Sequence, residues 1–280
     1  MIKPTTALGQ PAMWLRAPDG AQATVLLHGA TLISWIPAGG HERLYLSPLA
    51  EAGPGKAVRG GVPVIFPQFE QRGRLPRHGF ARDRSWQWQE GAQRANVVIG
   101  VLRLTDDAAT RAIWPHAFAA ELSFSLGGQQ LDVELAITNT GDTGDASFNF
   151  TAALHTYLAV GDLQRTQLGG LLGTHYTDSL TAREQQQELD PFGFAGEIDR
   201  IYWGAGGPQQ LVSPAGRLLI DREGFDDVVV WNPGPEKAAA MTDLPVDDWL
   251  QMLCVEAAQI AEPVVLAPGQ EWVARQGFRA

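Results

Sequence analysis

The residues able to do acid–base or anion chemistry are few, and they cluster. In residues 71–84, QRGRLPRHGFARDR, Arg72, Arg74, Arg77, Arg82 and Arg84 meet one acid, Asp83; five positive charges less one negative is +4, in a chain of net charge −10. Arginine presents a planar fork of donors that can grip two oxygens of a phosphate or carboxylate at once. Arg59 stands nearby in sequence, followed by Gly60 and Gly61, whose missing side chains would let a ligand approach the backbone. Such a run also fits a solvated loop with structural ion pairs. Pro76, the His78-Gly79-Phe80 interruption and the Arg59-Gly-Gly neighbour favour an anion pocket.

Two further residues break apolar runs. His155 interrupts residues 150–160, FTAALHTYLAV. It reads either as a satisfied core histidine or as a neutral imidazole able to take and give a proton. Glu256 interrupts MLCVEAA at residues 252–258. A carboxylate there must be paired, desolvated or reactive, because an isolated buried charge is expensive. A buried arginine is its ordinary partner. Asp199 opens a polar island, Asp199-Arg200-Ile201-Tyr202, readable as a turn or a strand start, and Trp231-Asn232-Pro233-Gly234 ends a strand at a turn.

Other chemistries find less support. None of the six histidines pairs at the i, i+4 spacing of a helical zinc motif, and there is one cysteine, so a metal site is not expected. Cys254 reads as inert packing. No Gly-x-Ser-x-Gly elbow, P-loop or dinucleotide fingerprint occurs.

The elements that must position these groups are strands. The 280 residues are 45% apolar and 19% charged, enough to bury a large core, which excludes a disordered, collagen-like or disulfide-stapled chain. Thirty-one Gly and 18 Pro punctuate the chain into short segments. Strands are expected at 23–27, 31–36, 95–105, 117–126, 130–139, 216–221 and 226–231. Leu131, Val133, Leu135 and Ile137 alternate with Asp132, Glu134, Ala136 and Thr138, the period of a half-buried strand. Gly127-Gly128 and residues 141–144 read as hairpin turns. Helix is expected only as a turn or two at 178–188 and a short piece at 247–252. With no linker and no repeat, residues 1–280 read as one all-β domain, a large antiparallel sandwich. The acidic balance argues against nucleic acid or an anionic membrane as partner. The single cysteine and the lack of an apolar export segment point to a cytoplasmic protein.

Six of these islands occur in one order: Arg59-Gly-Gly-Val-Pro-Val-Ile-Phe-Pro, His78-Gly-Phe-Ala-Arg82, Ala-Leu-His155-Thr-Tyr, Asp199-Arg-Ile-Tyr, Trp231-Asn-Pro and Cys254-Val-Glu256. In this the chain resembles the glucose-6-phosphate 1-epimerases, or hexose-6-phosphate mutarotases, of the aldose 1-epimerase superfamily, over roughly residues 20–275. The resemblance implies a galactose-mutarotase-like β-sandwich (a supersandwich). It implies His155 and Glu256 as the catalytic pair, and Arg59, Arg77, His78, Arg82 and Asp199 as contacts of a small sugar phosphate. Trp231, Phe80 or Tyr157 would pack either on the apolar face of a sugar or, as such residues more often do, in the core. No cofactor is required, and a monomer is expected. The chain departs from the pattern in three places. Arg77 stands where relatives often carry Gln, Pro67-Gln68-Phe69-Glu70 where they often read Pro-Trp-Phe-Gly, and Gly234 where Trp-Asn-Pro is often followed by Trp. A mutarotase of unphosphorylated sugars and a non-catalytic carbohydrate-binding module are the alternatives.

Overall fold

Alternating side chains build the first layer. Leu131, Val133, Leu135 and Ile137 are buried along the strand Gln130–Asn139, while the residues between them are only partly covered. The same one-sided pattern runs through its neighbours Val97–Thr105 and Phe118–Gly127. The computed structural model describes residues 1–280 and arranges these strands in a nine-stranded antiparallel sheet. An eight-stranded antiparallel sheet faces it, and a four-stranded meander, Ile2–Ala7, Gln10–Arg16, Gln22–Leu26 and Leu32–Ile36, packs alongside. A core of 63 buried residues draws side chains from all three sheets. No helix is long and apolar enough to cross a membrane.

The eight-stranded sheet is patterned differently. Its central strand, Met252–Leu266, is buried at nine successive residues, Met252 to Ile260. Leu253, Val255 and Ala257 point into the main core. Ala258 and Ile260 face the other way and join Ile65, Phe69, Ala153, Ile201 and Val229 in a second apolar cluster. A strand covered on both faces reads as a continuous apolar run, so alternation could not reveal it.

One interruption in this sheet places the site. Phe148–Leu154 pairs with Met252–Leu266, with Leu154 opposite Ala257. The ladder breaks at His155 and Thr156, then resumes as Tyr157–Ala159 on the same partner, with Tyr157 opposite Cys254. Across the gap the Val255 N–H donates to the Thr156 carbonyl at 3.2 Å and the His155 N–H to the Pro63 carbonyl at 3.0 Å. Such irregularities re-aim a side chain without ending the strand.

The structure corrects several expectations. Residues 178–188 form no helix but a hairpin, His175–Asp178 with Arg183–Gln186, at the sheet edge. Asp178 accepts the backbone N–H groups of Leu180 and Thr181, as a helix cap would, but Ala182 at φ 54° turns the chain back. Residues 141–144 are not a hairpin turn. They carry the chain from Gln130–Asn139 in one sheet to Phe148–Leu154 in the other. Two short helices escaped the sequence, Ala108–Ile113 with a capping box from Asp107 and Thr110, and Gly234–Ala239. Gly60 and Gly61 do not open onto a ligand. A Cβ at either would strike backbone, of Tyr45 and Leu46 or of Leu32, so these glycines let the Arg59 loop pass close against neighbouring backbone.

Candidate active site

Strand register assembles the floor. Ile201 lies opposite Val229, which lies opposite Glu256. In the adjacent row Asp199 lies opposite Trp231, which lies opposite Cys254. His155, at the break in the ladder, comes up beside Glu256, with His155 Nε2 3.3 Å from Glu256 Oε1. Over this floor opens a cleft of about 510 Å³. Arg59, Arg77, His78, Arg82, His155, Asp199 and Glu256 all line it. Residues up to 197 positions apart in sequence thus meet, 256 less 59.

His155 is fixed on several sides. Its ring stacks on Tyr157, centroids 4.8 Å apart and planes at 11°, and stands edge-on to Trp231 at 6.0 Å and to His78 at 5.8 Å. The Tyr157 hydroxyl accepts from Arg59 Nη1 at 2.9 Å. Arg59 is also held by Asp243, at 3.2 Å from Nε and 3.1 Å from Nη2. Burial works against its charge, and Tyr157 and Asp243 outweigh that, so its pKa moves up. Arg82 differs. It forms no ion pair, its Nη2 donates only to the Arg77 carbonyl at 3.3 Å, and its buried Nε has no partner. Burial lowers its pKa.

Burial dominates the central pair. It pushes the Glu256 carboxyl well above the ordinary range, helped by the negative charges of Asp199 and Glu70 and opposed by Arg82. It pulls the His155 imidazole well down, helped by His78, Arg82 and Arg59. Both shifts favour the uncharged form, the carboxyl holding its proton more tightly and the imidazole less. Glu256 Oε2 and His155 Nδ1 have no hydrogen-bond partner although both are buried. Asp199 is also raised, first by burial. His78 is lowered to about 3 by burial and by Arg82, Arg77 and Arg59. Its Nδ1 accepts the Glu70 N–H at 3.3 Å, so a neutral ring carries its proton on Nε2.

The arginine segment divides. Arg77 and Arg82 reach the cleft, whereas Arg72 lies over the Trp203 ring and Arg84 over Phe80. Phe80 itself is buried in the main core against Phe66 and does not line the cleft, while Trp231 and Tyr157 do. Sequence reasoning missed Asp243, Lys56, Lys237 and the part played by Glu70. Lysine is scarce, three in the chain, and two of the three line this cleft; that scarcity was the available signal. It also missed that His155, Cys254 and Glu256 bring ligand atoms within 4.8 Å of one another, close enough to share a metal ion. Helical spacing rules cannot detect a set assembled across strands.

An imidazole and a carboxyl with unpartnered atoms, in a cleft lined by both cations and acids, can move protons between two oxygens of a small polyhydroxylated molecule. Comparison with known proteins points the same way. The model of the family described as aldose 1-epimerase matches residues 11–279. A Cenchrus ciliaris protein provisionally named glucose-6-phosphate 1-epimerase is 35% identical over 98% of this chain and 86% of its own length. The crystal structure of a provisionally named mutarotase from Salmonella typhimurium superposes with a TM-score of 0.90 at 29% identity, covering 99% of this chain and 92% of the other. A galactose mutarotase related enzyme from Lactobacillus acidophilus shares the fold, with a TM-score of 0.73 at 14% identity over 100% of this chain and 97% of its own.

Proposed function

The chain belongs to the aldose 1-epimerase family, and from that premise we propose that it interconverts the α and β anomers of a hexose 6-phosphate, D-glucose 6-phosphate first among them. The observation that carries the proposal is the buried His155–Glu256 contact of 3.3 Å opening onto a cleft bordered by Arg59 and Arg82. Provisional naming of relatives as glucose-6-phosphate 1-epimerases supports the phosphate, as does Arg82, a cation at the cleft with no carboxylate of its own.

Glu256 acts as base toward the anomeric hydroxyl and His155 as acid toward the ring oxygen. With one proton shared by the pair, its transfer from Glu256 to His155 gives the carboxylate and imidazolium that the reaction needs, with no change in net charge. Glu256 then takes the proton of O1–H. The C1–O5 bond breaks with its electrons going to O5, which receives the His155 proton, and O1 becomes the aldehyde oxygen. Rotation about C1–C2 presents the other carbonyl face. O5 attacks it while returning its proton to His155, and Glu256 returns the other to O1. One positioned acid or base typically supplies ~10²–10⁴ in rate. Arg82 holds the phosphate away from the reacting carbon, which spends remote binding energy on orientation. Trp231 offers an aromatic wall for the apolar face of the ring.

Exchange NMR on the α and β anomers of glucose 6-phosphate tests this. The expected result is interconversion well above the spontaneous rate and faster than for glucose or galactose. A rate equal to the spontaneous one would mark a carbohydrate-binding protein, and equal efficiency on plain hexoses would mark a mutarotase of unphosphorylated sugars.

A further inference from the structure

Glu70 is a charged residue in a conformation that suits glycine. Its φ is 48°, in the left-handed region, where a side chain is strained. Its backbone needs no carboxylate to stay there. The Glu70 N–H donates to His78 Nδ1, and its carbonyl accepts both the His78 N–H at 3.0 Å and Gln68 Nε2 at 2.9 Å. Strain that persists beside an active cleft is a pointer to function.

Glu70 lines the cleft together with Phe69 and His78, and the rings of those two are in contact at 5.3 Å. Arg77 Nη2 stands 3.6 Å from Glu70 Oε1, and the Arg77 carbonyl accepts from Arg82 Nη2. The departures from the family pattern at residues 70 and 77 thus meet as one ion pair, its Arg77 and Glu70 side chains 58% and 42% exposed.

We propose that Glu70 is a specificity-determining residue, a carboxylate held by Arg77 so that it accepts a hydrogen bond from one ring hydroxyl of the sugar seated over His155 and Glu256. The proposal rests on the reading of that cleft as the sugar site, not on the phosphate. A site built to bond a hydroxyl rejects an analogue that lacks it. Glu70 thus restricts the enzyme to sugars with a donor at one ring carbon. Arg77 is a positioning residue, acting through Glu70.

The experiment compares wild type, Glu70→Gly, Glu70→Gln and Arg77→Gln on glucose 6-phosphate and its 2-, 3- and 4-deoxy analogues, by exchange NMR for turnover and calorimetry for Kd. Glu70→Gly suits the left-handed backbone, so it is expected to melt no lower than wild type. It should lower kcat/KM for glucose 6-phosphate by about tenfold or more, the scale of a hydrogen bond to a charged group. With one deoxy analogue, the one lacking the partner hydroxyl, Glu70→Gly and wild type should coincide. Glu70→Gln, which keeps an acceptor, should fall between, and Arg77→Gln should raise KM with kcat little changed. An effect of Glu70→Gly that is the same across all analogues, or absent, overturns the proposal. If wild type binds the sugars without turning them over, the proposed function fails, and the Kd pattern still decides for or against Glu70. If it binds none of them, both fall.

Discussion

Two carboxylates lie fully buried on paired strands of the eight-stranded sheet, Asp227 at 0% exposure and Glu256 at 1%, and the fold treats them in opposite ways. Asp227 is saturated. Its Oδ1 accepts the Gly204 N–H at 3.1 Å, and its Oδ2 accepts those of Ile260 and Ala261, each at 2.9 Å. Those last two donors lie where the register between Phe148–Leu154 and Met252–Leu266 shifts, so Asp227 supplies the partner that the ladder does not. Glu256 is left short. One oxygen lies 3.3 Å from His155, and the other is buried without a hydrogen-bond partner. A buried carboxylate with its lone pairs filled is a structural staple, and one left short of partners beside a cleft is placed to exchange a proton.

Substitution should separate the two roles. The largest effect falls on turnover at Glu256. Glu256→Gln and His155→Asn should each slow anomer exchange by ~10²–10⁴ in a protein whose circular dichroism is unchanged. Near-normal rates by NMR in either would remove the pair from the mechanism. Arg82→Ala comes next. The KM for glucose 6-phosphate should rise roughly 10–100-fold, the loss of a charge-assisted contact, with a smaller change for glucose. Equal changes for both would detach Arg82 from the phosphate.

Asp227→Asn should act on stability instead. Its amide turns donors toward donors, and denaturant unfolding should show a loss of about 1–3 kcal/mol while kcat of the folded protein holds. A selective fall in kcat would erase the distinction between the two acids. The smallest effect is a slope. The folded state raises the Glu256 pKa above its ordinary value of 4.5, so folded protein binds more protons than unfolded once the pH passes that value. This contribution to stability is full at lower pH and declines as pH rises toward the elevated folded value. The stability advantage of Glu256→Gln over wild type should therefore grow with pH above 4.5 and then level off. An advantage that shrinks with pH would contradict the desolvation of Glu256.

Alternation made the nine-stranded sheet legible. Strand 130–139 was read to the residue, and 97–105 and 118–127 to within two residues, because one face of each is wet. The same rule failed for Met252–Leu266, which is covered on both faces, and at 178–188, where a capping aspartate begins a hairpin instead of a helix. At the site, residue type marked His155 and Glu256 as odd members of apolar runs, and both lie together in the cleft. The arginine run misled in part, since charge density along the chain does not say which side chains turn inward. Arg77 and Arg82 do so; Arg72 and Arg84 lie over aromatic rings.

The sequence by itself determined which groups could react and which strands would have one apolar face, because both follow from residue type and local spacing. Only the tertiary structure decided that the imidazole and carboxyl, 101 positions apart (256 less 155), would sit 3.3 Å from each other. It alone decided that Asp227 would be saturated and Glu256 left open, and that Glu70 would stand beside Arg77 on the cleft wall. Protonation and hydrogen bonding depend on which water molecules a neighbouring strand displaces, and strand register across a sheet is set by the packing of the whole core.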